Sequence, residues 1–67
     1  MNRISLTLKE KGLPQQFLVD KLGVGRSTVS HWCTNTIQPP LEKLYRVAEL
    51  LGVEIYDLLV PIKKMKN

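Results

Sequence analysis

Between positions 26 and 31 the chain gathers Arg26, Ser27, Thr28, Ser30 and His31. An ordinary surface helix is filled with Glu, Lys and Ala, whereas these types carry the donors and acceptors that match base edges in a nucleic-acid groove. Competing chemistries lack their parts. With one histidine and one cysteine, no metal set can be assembled around His31. No nucleophile sits beside a base and no carboxylates cluster, so an enzyme is excluded and no cofactor is expected. The run Gly23-Val24-Gly25 follows a helical segment and no strand, which denies it the context of a nucleotide fingerprint.

Short helices must position these side chains. Residues able to take a left-handed C-terminal conformation recur at Gly12, Gly23, Asn35 and Gly52, and they divide the chain into segments. The first helix is expected over about Asn2 to Lys11 on the Ile4 and Leu8 spacing, although the alternation Ile4, Leu6, Leu8 also fits a strand. The second runs from about Gln15 to Leu22 and buries Leu18, Val19 and Leu22. A third, from about Arg26 to Thr34, buries Val29 and part of Trp32. The fourth spans about Leu41 to Leu51 with Leu44, Val47, Ala48 and Leu51 on one face. A fifth, short helix over about Ile55 to Leu59 packs Leu58 and Leu59. The second and third segments, hinged at Gly23, have the form of a helix-turn-helix.

A chain of 67 residues makes one small domain, placed at 1–60, followed by a basic tail at 61–67. A lone Cys33 excludes a disulfide framework, and no signal-type or membrane-length apolar run is present, so a reducing, cytoplasmic setting without membrane contact is expected. The net charge of +4 is unevenly spread. Residues 1–34 carry five basic and two acidic side chains, residues 35–60 two basic and four acidic, and the tail three lysines. A basic first half suits a phosphate surface, and an ordinarily mixed surface with a solvated tail fits the same totals.

The chain resembles the Cro/C1 (Xre) family of phage and bacterial repressors over nearly everything from Arg3 to Leu59. The residues that carry the likeness are Lys11-Gly12-Leu13, Leu18, Leu22-Gly23-Val24, Arg26-Ser27-Thr28-Val29-Ser30, Trp32, Gln38-Pro39, Leu41, Leu44, Ala48 and Leu51-Gly52-Val53. The resemblance implies an all-α, five-helix, lambda-repressor-like domain that binds double-stranded DNA with helix three in the major groove, as a transcriptional regulator and repressor. Arg26, Ser27 and His31 match the base-reading positions, with Thr28 and Ser30 beside them. Arg26 alternatively meets phosphate or solvent, Ser27 and Thr28 alternatively satisfy backbone groups of the first turn, and His31 alternatively rests on the surface. Phosphate contacts fall to Gln15 and Thr36, joined by Gln16, Asn35, Gln38 and Lys43. Gly25 is expected to allow a close backbone approach and to leave the amides of helix three free.

The departures from the family pattern carry expectations of their own. Leu8 and Cys33 replace an Arg and a Glu that usually pair, so the two are expected to touch in the core, with a redox-sensing Cys33 as the alternative. Pro14 and Pro40 replace capping Ser or Thr residues, which leaves Gln16 and Glu42 to assist the exposed amides. Val19 replaces a usual Ala and is expected to open the angle between helices two and three. Phe17, Tyr45, Tyr56, Val60 and Ile62 exceed the needs of one core and suggest a homodimer face, or a cover over the end of the core. No small-molecule effector is expected. The competing function is a protein-interaction module of antitoxin type, in which DNA binding is secondary.

Overall fold

The protein is described by a computed structural model over residues 2–59. Helices α1 (Ile4–Lys11), α2 (Gln15–Leu22), α3 (Arg26–Cys33) and α4 (Leu41–Leu51) are followed by a 3₁₀ turn over Ile55–Leu58. The all-α class holds, and the expected five helices become four and a turn. The cause lies at the turn's two ends. Glu54 and Asp57 form a reciprocal capping box that starts it, and Leu59 leaves it with extended backbone (φ −96°, ψ 144°) to make an antiparallel bridge with Asn2. That bridge also shortens the first helix. Asn2 belongs to the bridge, the Arg3 N–H donates to the Leu58 carbonyl at 2.7 Å, and α1 begins only at Ile4.

The i, i+4 spacing decides between helix and strand in this first segment. Ile4 and Leu8 are buried while Leu6 is 52% exposed, as a helix stripe requires and a strand alternation forbids. Leu18, Val29, Trp32 and the α4 face of Leu44, Val47, Ala48 and Leu51 complete one core with Leu58. Trp32 is wholly interior, beyond the partial burial expected of it. Val19 and Leu22 pack only at the core's edge, and Leu59, expected inside, is 42% exposed because the bridge turns it outward.

Leu8 and Cys33 are both buried in that one cluster. Burial pushes the Cys33 thiol above its ordinary value by desolvation, which keeps it protonated and poorly nucleophilic. The prolines stand at the N-cap positions of α2 and α4, extended and without any side-chain cap. Gln16 does not supply one, since its amide is engaged elsewhere. Among the described residues no helix is long and apolar enough to cross a membrane.

Candidate nucleic-acid interface

The turn between α2 and α3 is two residues of permissive backbone around one anchor. Gly23 ends α2 in the left-handed region (φ +69°), where a β-carbon is disfavoured, and half-buried Val24 packs against the core. Gly25 then opens α3 with extended backbone (φ −70°, ψ 153°), a conformation open to any residue. A β-carbon there would meet only Thr28 Oγ1, at 3.7 Å. No side chain caps α3, so the amides of its first turn are left for solvent or a ligand.

Core packing fixes which way α3 faces. Val29, Trp32 and Cys33 point inward, and at ~100° per residue Arg26, Ser30, Ser27 and His31 then share an outward arc of roughly 140°. Arg26, Ser27 and His31 are exposed and Ser30 is half-buried at the arc's base. Thr28 falls outside this arc, half-buried on the flank.

Arg26 does not swing freely. Its guanidinium Nη2 donates to Gln16 Oε1 at 2.7 Å, and Gln16 Nε2 in turn donates to Asp20 Oδ1 at 2.8 Å. The direct partner is a neutral amide, so the charge of Arg26 stays available to an anion or a base edge. The α2–α3 crossing therefore presents a cation already oriented across the turn.

A sequence model of the helix-turn-helix family matches residues 4–58, the segment that builds this crossing and its support. The chain belongs to the Cro/C1-type (Xre) helix-turn-helix family. Among solved structures it is similar to that of a candidate DNA-binding protein from Bacteroides fragilis. The two share 41% identity with a TM-score of 0.85, over 87% of this chain and 94% of that one. No curated protein matches it. As a helix-turn-helix protein it falls among DNA-binding regulators and not among enzymes.

The remaining positions that the helix-turn-helix resemblance singled out are dispersed around α3. Gln15 is exposed at the first residue of α2, Thr36 and Gln38 are exposed on the α3–α4 loop, and Lys43 is half-buried in the first turn of α4. Asn35 takes the left-handed conformation (φ 62°) that its type allows. The side-chain oxygens of Asn35 and Gln38 both face the chain's own Asn2. The Asn2 backbone N–H donates to Asn35 Oδ1 at 2.7 Å and its Nδ2 donates to Gln38 Oε1 at 2.9 Å.

Two participants at this loop escape a reading of the sequence. Asn2 is buried and lies 33 residues from Asn35, with no local pattern to announce the pairing. Thr34, the residue that ends α3, places its hydroxyl 2.8 Å from that of Thr36. The signal available for Thr34 was its helical spacing from Ser27 and Ser30, which puts it on the same outward arc.

Proposed function

We propose that the protein binds double-stranded DNA as a transcriptional repressor, inserting the N-terminal half of α3 into the major groove. The observation that carries this is the outward arc of α3 with Arg26 held by Gln16. Arg26 reads guanine through O6 and N7, a pairing that contributes ~1–3 kcal/mol of discrimination. Ser27 and His31 reach neighbouring base edges, Ser30 and Thr28 support from the base and flank of the arc, and Gln15, Thr36 and Lys43 meet phosphates. Family membership supports the DNA-binding part of this reading, and the similarity to a candidate DNA-binding protein agrees with it.

Binding is assigned to a homodimer, whose two recognition helices would stand roughly 34 Å apart to match half-sites one helical turn apart. Tyr45 and Tyr56 are 56% and 69% exposed, and Tyr45 lines a groove of about 380 Å³ together with Val53, Glu54 and Ile55. Phe17, by contrast, packs at the edge of the core, with Lys21 Nζ 5.9 Å from its ring centre. Val60, Ile62 and the tail at 61–67 lie outside the described residues. In the alternative reading the chain is itself the antitoxin-type module, and α4, the turn after it and the tail hold a separate protein. Sedimentation of the pure chain distinguishes the two, since a monomer at high micromolar concentration removes the homodimer.

The DNA reading is tested by titrating a selected duplex and a random duplex with the wild type, Arg26→Ala and Gln15→Ala. Arg26→Ala is expected to narrow the gap between the two duplexes, while Gln15→Ala weakens both alike. Equal losses on both duplexes for Arg26→Ala would demote that residue to a phosphate contact.

A further inference from the structure

From Thr34 to Ile37 the α3–α4 loop spends its backbone donors internally. The amides of Thr34, Asn35, Thr36 and Ile37 bond to the carbonyls of Ser30, Trp32, His31 and again His31. Over residues 34–37 an anion approaching this loop can therefore be met only by side chains.

Which atoms those side chains show outward follows from three backbone groups whose polarity cannot be exchanged. The Ile4 N–H donates to Asn2 Oδ1 at 3.0 Å, which fixes the Asn2 amide with its nitrogen toward the Trp32 carbonyl, 3.0 Å away. That nitrogen has a second proton, and the Gln38 atom 2.9 Å from it must then be the oxygen. The Asn2 backbone N–H likewise requires an oxygen on Asn35, and Gln38 Nε2 donates to the same oxygen at 3.2 Å. Asn35 Nδ2 returns one proton to the Asn2 carbonyl at 3.4 Å.

Counting what is left gives the consequence. Both lone pairs of Asn35 Oδ1 are taken and Gln38 Oε1 is held inward, while Asn35 Nδ2 and Gln38 Nε2 each keep one unspent N–H. The Thr34 hydroxyl donates to the His31 carbonyl at 3.3 Å and lies 2.8 Å from the Thr36 hydroxyl, where either oxygen can be the donor. The unspent hydrogen-bonding groups are thus mainly donors, the polarity an anionic oxygen needs.

We propose that Asn2 is a positioning residue for DNA binding. From the second residue of the chain it locks the loop amides of Asn35 and Gln38 so that their remaining N–H groups receive a backbone phosphate. The inference rests on the proposed DNA binding and deepens it. Asn2 touches no DNA and acts through Gln38 and Asn35. Its effect is blind to base sequence. Because no charge is removed when it is replaced, the salt dependence of binding stays as in the wild type.

The test is a double-mutant cycle on DNA affinity, measured at a temperature where circular dichroism shows every variant fully folded. Asn2→Ala releases Gln38 while the backbone N–H of residue 2 still holds Asn35, and Gln38→Ala removes the released donor itself. Each is expected to weaken binding about tenfold on selected and random duplexes alike, as befits one hydrogen bond to a charged oxygen. The double variant is expected to be no weaker than Gln38→Ala alone. Additive losses would show that Asn2 does not act through Gln38 and overturn the proposal, and so would wild-type affinity in Gln38→Ala. Should Asn2→Ala fail to fold, the exposed Gln38→Ala decides, together with Asn35→Gly, which keeps the positive φ and removes the amide. Failure of the wild type to bind any duplex would sink the DNA reading itself, a result separate from wild-type binding that Gln38→Ala leaves unchanged.

Discussion

Replacing Gln16 by alanine probes whether Arg26 is presented to DNA in a prepared orientation. The bond from Arg26 Nη2 to Gln16 Oε1 is 2.7 Å long but exposed, so its direct contribution to folding is small. Its effect on binding is larger because an arginine side chain carries about 2 kcal/mol of rotamer entropy. Fixing one end of the guanidinium before binding removes roughly half of that loss, or about 1 kcal/mol, which is about fivefold in affinity. Arg26→Ala should cost ~1–3 kcal/mol on the selected site and relax the preference at the base it reads. Fluorescence anisotropy with labelled selected and random duplexes reads all four corners of the cycle. Gln16→Ala is expected to weaken the selected duplex about fivefold in the wild-type background and hardly at all in the Arg26→Ala background. If Gln16 acts instead by its own phosphate contact, its loss persists in both backgrounds and on both duplexes. That additive result would refute the orienting role.

Three further outcomes follow from the packing. Asn35→Ala keeps a β-carbon at φ 62° without the polar side chain that eases that conformation and removes the acceptor of the Asn2 N–H, so urea denaturation should show a loss of ~2 kcal/mol, with Asn35→Gly milder. Cys33 has a folded value raised by burial above the ordinary 9.0. The unfolded chain therefore loses that proton first, and the stability from neutral Cys33 is full below pH 9.0 and is lost as pH rises through the raised folded value. The difference in urea midpoint between wild type and Cys33→Ala should accordingly shrink above that pH, and a constant difference would contradict the burial argument. Leu8→Arg strands a charge in the core and should cost roughly 3–5 kcal/mol, which Cys33→Glu in the same chain should partly restore if the two side chains meet. Thermal melts of both single variants and the double variant check this.

Local chemistry made most of the fold readable. Gly23 and Gly52 take the left-handed conformation their type invites, and the apolar spacing of α4 is the spacing of its buried face. The ends of the fold were less legible, because the bridge between Asn2 and Leu59 joins residues with no sequence pattern in common. The same holds for the candidate interface. Arg26, Ser27 and His31 were visible by type, and their exposure follows from Val29 and Trp32 facing inward. The contacts that hold Arg26 and Gln38 were hidden, since Gln16 meets Arg26 only through the angle of the turn and Asn2 meets Gln38 only through the tertiary fold.

Selection of bound duplexes from a random DNA pool, repeated with Arg26→Ala, tests base reading by α3 most directly. The wild type is expected to enrich a two-fold symmetric site containing a guanine in each half, and Arg26→Ala to lose preference at that guanine while keeping the rest. An unenriched pool, or the same guanine retained by Arg26→Ala, would contradict the assignment of Arg26 as the principal base reader.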